Sequence, residues 1–165
     1  MDRAIVNKQK VIVVCGVKNS GKTTLLTRIV AELTKQGLKI AVIKRDGHDF
    51  ICDIPETDSY RIKEAGAYGT AVFSNSRIFI HKTGTQEDEK DLISIFPEAD
   101  IIFIEGLKES TYPKIEVIRA AVSDSPVSNP AGRFMIVTDR NAEEFDEPVA
   151  DFNDIAEILL KIMEQ

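Results

Sequence analysis

Residues 11–24 decide the fold of this chain, and they read VIVVCGVKNSGKTT. The first five form a short, β-branched run of the kind that makes a buried strand. The pattern G-x-x-x-x-G-K-[ST] follows from Gly16 to Thr23, and apolar residues at helical spacing then continue to about Gln36. A strand, a glycine-rich loop and a helix in this order predict a phosphate-binding loop. The alternative is a glycine-rich turn that carries a surface lysine.

The residue types in this loop suit a nucleoside triphosphate. Glycine permits the backbone angles that let successive N–H groups surround a phosphate, and the helix that follows adds its positive N-terminal end. We expect Lys22 to reach the β and γ phosphates, the Thr23 hydroxyl to ligate Mg²⁺, and Thr24 to meet the α-phosphate. Lys18 is either a further phosphate contact or a solvated cation. The predicted nucleotide-binding residues are Gly16, Lys18, Asn19, Ser20, Gly21, Lys22, Thr23 and Thr24.

Acidic residues follow two further predicted strands at the ends where ligands bind in open α/β sheets. Asp46 and Asp49 come after residues 38–43, and Glu105 comes directly after the apolar run 101–104. His48 either orients a water or phosphate there or is a plain loop histidine. The predicted metal ligands are Thr23, Asp46 and Glu105, and the predicted catalytic residues are Lys22, Asp46 and Asp49.

Strand and helix patterns alternate along the rest of the chain. Further strands are expected at 115–118 and 134–137. Helices are expected at 58–64, capped by Thr57 or Asp58, after the capping pattern Thr85 to Asp88, and at 152–163. Residues 70–73 and 77–81 flank a Ser-Asn-Ser turn and predict an antiparallel hairpin. The chain is therefore predicted to be a three-layer α/β sandwich of the P-loop class, with a mainly parallel sheet and an inserted hairpin. We expect one domain over residues 1–165, with 1–9 as a loose tail.

Composition excludes several function classes. The 165 residues are 43% hydrophobic and 29% charged, which is typical of a globular protein. No apolar run approaches the roughly 18 residues of a membrane span, and the first ten residues have no apolar stretch of a signal peptide, so we expect a cytoplasmic protein. Two cysteines and two histidines complete no zinc pattern. Basic residues are scattered rather than clustered with aromatic ones, which disfavours nucleic-acid binding.

Charge is distributed unevenly along the chain. Residues 1–82 hold 14 Lys and Arg against 8 Asp and Glu, whereas residues 83–165 hold 7 against 19. Such a distribution is typical either of an anionic ligand and a polar partner on different parts of the surface, or of two solvated faces of different charge.

Several blocks in order resemble the molybdopterin-guanine dinucleotide biosynthesis adapter (MobB) family over roughly residues 10–140. The first block is the glycine-rich loop with its strand, and the others are IKRDGHDF (43–50), DSYR (58–61), AGA (65–67), IEGLK (104–108) and PKIE (113–116). The resemblance implies a GTP-binding protein with weak Mg²⁺-dependent GTPase activity. It also implies association with the molybdenum cofactor guanylyltransferase, which attaches GMP to molybdopterin, and a homodimer that uses strands such as those of the hairpin.

The family's phosphate-loop roles carry over to Gly16, Gly21, Lys22, Thr23 and Thr24, and its acidic positions to Asp46, Asp49 and Glu105. Members often have a second basic residue or a histidine where Asp46-Gly47 stands here. The chain also has no Asn-Lys-x-Asp element, the usual reader of guanine; residues 138–141 (TDRN) follow a predicted strand but do not match it.

Two other functions fit the same loop. One is an ATP-dependent small-molecule kinase or ligase, which usually needs an arginine-rich lid; Arg61, Arg77, Arg119 and Arg133 stand isolated in the sequence. The other is a non-catalytic, nucleotide-dependent scaffold. Arg45, beside Asp46, is the one candidate for an arginine that acts on the phosphates from within the acid-bearing loops.

Overall fold

The computed structural model describes residues 9–46, 52–83 and 88–165. Their contacts group them into two compact units, formed by the described residues of Met1–Arg45 with Leu92–Gln165 and of Asp46–Asp91. The expectation of one nucleotide-binding domain stays a prediction.

The elements alternate between strand and helix along much of the chain. The strands are β1 (Lys10–Cys15), β2 (Ile40–Lys44), β3 (Gly69–Phe73), β4 (Ile78–Lys82), β5 (Ile101–Glu105), β6 (Lys114–Ile118), β7 (Arg133–Thr138) and β8 (Val149–Asp151). The helices are α1 (Lys22–Lys35), α2 (Asp58–Glu64), α3 (Glu89–Ser94) and α4 (Ile155–Met163), with one 3-10 turn at Ala142–Glu144.

Six strands form the sheet of the first unit, in the order β2-β5-β1-β6-β7-β8. Every neighbouring pair in it is parallel. Because parallel sheets are covered on both faces, their central strands are buried, and every residue of β5 and β6 is buried, including the charged Glu105, Lys114 and Glu116. Parallel pairing also brings the loops after β1, β5, β6, β7 and β8 to one edge of the sheet, which positions the candidate site.

Both faces of this sheet are packed. Helices α1 and α4 cover one face, where Leu25, Ile29 and Ile158 are fully buried with the facing strand residues. On the other face, Ile93 of α3 packs against a cluster that includes Ile102 and Ile104. The predicted three-layer α/β fold with a mainly parallel sheet is confirmed.

The second unit contains the predicted hairpin and a helix that packs against it. Strands β3 and β4 pair antiparallel and form a separate two-stranded sheet. Helix α2 contacts β3 and begins as predicted, because the Thr57 side chain accepts a hydrogen bond from the backbone N–H of Tyr60.

Two boundaries differ from the sequence prediction by two residues or more, and one strand is additional. Strand β2 begins at Ile40 rather than 38, and the Asp100 carboxylate accepts the backbone N–H of Lys39 just before it. The last helix begins at Ile155 rather than 152, because Asp154 caps it. The short strand β8 was not predicted, and Thr85 lies outside the described residues. Among the described helices, none has the length and apolarity needed to cross a bilayer.

Candidate functional site

The glycine-rich loop connects β1 to α1 through a backbone that only certain residues tolerate. Gly16, Asn19 and Gly21 all have positive φ, at 136°, 62° and 90°. Gly16 lies against β6, where a side-chain Cβ would collide with the carbonyl oxygen of Val117. Gly21 precedes α1, where a Cβ would lie 3.2 Å from the ring of Phe152. Both glycines are therefore required by conformation and by close approach, and loops of this kind form anion-binding concavities.

Ser20 provides a polar atom in the same loop that has no protein partner. Its side chain is fully buried, and its hydroxyl makes no hydrogen bond with any residue that the structure describes. Because a buried hydroxyl without a partner is costly, such an atom is typical of a place that a polar ligand completes.

Lys22, in the first turn of α1, is held across the loop. Its ammonium donates a hydrogen bond to the carbonyl oxygen of Val17 at 2.6 Å. Burial lowers the pKa of Lys22 from its ordinary value, and the nearby Glu105 carboxylate partly opposes this effect. A partly desolvated ammonium interacts more strongly with an anion than one in water does.

Thr23 and Glu105 bring two oxygen groups together at the end of the sheet. The Thr23 hydroxyl lies 3.1 and 3.3 Å from the two oxygens of the Glu105 carboxylate and donates to it. Glu105 is the last residue of β5, pairs in register with Val14 of β1, and is 9% exposed. Within the described ranges, no group of three or more His, Cys, Asp or Glu residues is positioned to hold a metal ion. This pair suits Mg²⁺, which is usually bound by one or two protein oxygens together with water and substrate phosphates.

The predicted site residues are only partly brought together by the fold. Gly16, Gly21, Lys22, Thr23 and Glu105 converge, while Lys18, Asn19 and Thr24 are exposed on the loop and the first turn of α1. Asp46 begins the second unit, so its metal and catalytic roles stay predictions. Asp49 and His48 lie outside the described residues.

Sequence analysis assigned no site role to Arg119 and Phe152, which lie at the start of α1, or to Asp139, which holds Arg119. Arg119 directly follows β6, and its guanidinium lies 4.4 Å from the centre of the Phe152 ring. Its Nε donates to Asp139 at 2.9 Å, and Asp139 also accepts the backbone N–H of Ala120 at 2.8 Å. The Ala120 hydrogen bond, with help from Arg119, lowers the pKa of Asp139. The signal was present, since Arg119 and Asp139 follow strands just as Glu105 does. Asp139 was considered only within the unmatched guanine-reading motif at 138–141, and Arg119 only as an isolated arginine.

The block 113–116 builds a buried polar network instead of a ligand site. Glu116 is fully buried and accepts hydrogen bonds from the backbone of Val127 and Ser128, from the Ser128 hydroxyl and from Arg133. The ammonium of Lys114 donates to backbone carbonyls, including that of Asn129 at 3.0 Å. Every charge in this network has partners, so its residues tie β6 to the loop before β7.

Comparison with known proteins gives consistent results. The family model described as "Molybdopterin guanine dinucleotide synthesis protein B" (MobB) matches residues 11–139. The molybdopterin-guanine dinucleotide biosynthesis adapter protein of Escherichia coli (strain K12) is 30% identical over 142 residues, which are 82% of this chain and 81% of that protein. The protein of the same name from Haemophilus influenzae is 28% identical over 92% of this chain and 86% of its own length.

Solved structures agree on the fold. The crystal structure of a MobB protein homologue from Bacillus stearothermophilus superposes with a TM-score of 0.73 at 22% identity, covering 93% of this chain and 95% of that one. Since the family model spans well over half of the sequence, this chain belongs to the MobB family.

Proposed function

We propose that this chain binds Mg²⁺-GTP at the loop of residues 16–23, hydrolyses it slowly and acts as an adapter in the biosynthesis of molybdopterin guanine dinucleotide. Family membership supports the adapter role. The single observation that supports nucleotide binding best is the unpartnered, buried Ser20 hydroxyl in a loop whose next residues supply Lys22 and Thr23.

The residues at the loop suggest a division of roles. The Lys22 ammonium would bind the β and γ phosphates, and a phosphate beside it would offset the burial that lowers its pKa. The Thr23 hydroxyl and the Glu105 carboxylate would hold Mg²⁺ or its water, and the ion would neutralise the charge that develops on the phosphates. Asp46 and Asp49 remain our candidates for positioning the attacking water.

Thermal melting with and without Mg²⁺-GTP tests nucleotide binding. A ligand at 100 times its Kd should stabilise the wild-type chain by about 2.7 kcal/mol. Lys22→Ala should lose this shift and still fold, whereas Lys35→Ala, an exposed lysine in the last turn of the same helix, should keep it. An equal ligand-induced shift in Lys22→Ala would contradict the proposed site.

Steady-state hydrolysis tests the activity. P-loop GTPases turn over on the order of 10⁻⁴ per second without a positioned arginine, and on the order of 10⁻² per second with one in cis. Glu105→Gln should reduce kcat more than it weakens nucleotide binding, because the carboxylate matters most as charge moves in the transition state. A rate above about 1 per second, or phosphate transfer from ATP to a small acceptor, would favour a kinase or ligase instead.

The hairpin supports a homodimer. Ala71, Phe73, Ile78 and Ile80 share one face of it, and Phe73, Ile78 and Ile80 are 83%, 68% and 61% exposed. Neither strand pairs with a third strand among the described residues, so backbone edges as well as this apolar face are available to a second copy. Sedimentation should give a dimer for the wild-type chain and a monomer for Phe73→Asp.

The partner we propose is the guanylyltransferase that attaches GMP to molybdopterin, with the acidic second half of the chain as a contact surface. Co-elution of the two proteins with GTP, with GDP and without nucleotide tests this proposal. We expect complex formation to depend on the nucleotide, and no co-elution under any of the three conditions would contradict it.

A further inference from the structure

The order of the strands around β1 indicates how a nucleotide would be oriented in the glycine-rich loop. Glu105, on β5, lies on one side of β1, and β6 lies on the other. This inference rests on the proposed binding of Mg²⁺-GTP, in which Thr23 and Glu105 would hold the metal next to the terminal phosphates. With the metal beside Glu105, the γ-phosphate end of the nucleotide would face β5. The nucleoside end would then face the loops after β6, β7 and β8.

A fixed arginine lies at that end. Nη1 of Arg119 would be 3.7 Å from a Cβ placed on Gly21, at the start of α1. The Phe152 ring lies at 4.4 Å from the guanidinium on one side, and Asp139 holds Nε. The side chain is 35% exposed, and neither Nη atom donates a hydrogen bond to a residue that the structure describes. Arg119 thus presents the four N–H donors of its two Nη atoms in a constrained position, with no acceptor among the described residues.

We propose that Arg119 binds the O6 and N7 edge of guanine and selects GTP over ATP. A guanidinium makes paired hydrogen bonds to these two acceptors, which is the commonest specific contact between arginine and guanine. Adenine carries an amino donor where guanine has O6, so it faces the Arg119 donors with a donor of its own. Asp139 does not suit this role, because an ionised carboxylate only accepts hydrogen bonds, and O6 and N7 are acceptors themselves.

Nucleotide binding to the purified chain, measured by calorimetry with Mg²⁺, tests the proposal. The probes are GTP, ATP and inosine triphosphate, which keeps O6 and N7 but lacks the 2-amino group of guanine. The wild-type chain should bind GTP and inosine triphosphate alike and ATP more weakly. Arg119→Gln should raise the Kd of the first two by roughly 5-fold to 150-fold and leave the Kd of ATP unchanged.

Two further variants keep the result interpretable. Arg119→Lys retains a cation beside Asp139 but loses the forked pair of donors, so it should fold normally and still lose the guanine preference. Arg140→Gln, which removes an arginine paired with Asp124 and Glu144, should leave all three affinities unchanged.

The outcomes separate this inference from the proposed function. An equal loss of GTP and ATP affinity in Arg119→Gln would show a phosphate contact or a structural role, and would overturn the inference while leaving GTP binding intact. Weak binding of inosine triphosphate to the wild-type chain would show that selection depends on the 2-amino group and not on O6 and N7. That result would also overturn the inference and leave GTP binding intact. If the wild-type chain binds no triphosphate, or prefers ATP, the proposed function itself fails.

Discussion

Strands β4 and β5 have similar sequences and opposite environments. Strand β5 reads IIFIE and β4 reads IFIHK, yet every residue of β5 is buried, whereas Ile78 and Ile80 of β4 are 68% and 61% exposed. Strand β5 lies between β1 and β2 with apolar clusters on both faces of the sheet, and β4 pairs only with β3. The composition of a strand therefore does not decide its burial. Apolar residues that the rest of their unit does not cover are available to a partner. We interpret the exposed face of the hairpin in this way.

The largest expected difference between the two units is in thiol reactivity. Cys15 in β1 is 1% exposed, and burial raises its pKa to about 11, whereas Cys52 in the second unit is exposed. If labelling of Cys15 requires opening of the sheet, it should be at least ~10³-fold slower than labelling of Cys52. A thiol reagent with absorbance detection measures both rates, and Cys52→Ser isolates the slow one. Fast labelling of that variant would mean that β1 opens readily.

The next largest effect comes from one substitution made in both strands. Ile102→Ala removes a fully buried side chain from β5 and should lower the free energy of unfolding by about 2–5 kcal/mol. Ile80→Ala in β4 should change it by less than about 0.5 kcal/mol, because the side chain is mostly exposed. Urea unfolding at low protein concentration limits the contribution of any dimer. Similar losses of unfolding free energy in the two variants would contradict the view that β5 is a core strand and β4 is not.

A buried and an exposed carboxylate should also differ in their contribution to the free energy of unfolding, but by less than the two isoleucines do. Both oxygens of Glu116 accept hydrogen bonds, so Glu116→Gln places an amide donor against other donors and should cost about 1–3 kcal/mol. The exposed carboxylate of Glu64 in α2 pairs with Lys63 at 3.6 Å, and Glu64→Gln should cost less than about 1 kcal/mol. The same urea titration compares them, and a negligible loss for Glu116→Gln would mean that the buried network relaxes around the amide.

The smallest effect concerns helix caps, one in each unit. Thr57 accepts the N–H of Tyr60 at 3.4 Å, and Asp154 accepts the N–H of Glu157 at 3.0 Å. Replacing either by alanine should cost about 1 kcal/mol. Hydrogen exchange locates each loss: Thr57→Ala should speed exchange in α2 and the hairpin and leave the six-stranded sheet unchanged. Faster exchange throughout the sheet would show that the two units open together.

Local patterns in the sequence were sufficient for most of the elements. The β-branched run before Gly16, the helical spacing after Gly21 and the cap at Thr57 each act over a few residues, so they could be found without a fold. The same holds for the hairpin and for the acid at the end of β5. The boundaries of β2 and α4 were less accurate, because contacts from Asp100 and the cap at Asp154 set them.

By itself, the sequence determined the glycine-rich loop, its strand and helix, and the family, because these depend on residue types at fixed spacing. Tertiary structure decided which distant side chains meet. Thr23 and Glu105 are 82 positions apart, and they touch because β5 pairs with β1 in a register that no local pattern encodes. In the same way, Arg119 and Phe152 reach the start of α1 only because β6 and β8 end at the same edge of the sheet. Exposure of the hairpin is likewise a property of its neighbours, since identical apolar residues are buried wherever a sheet and helices cover them.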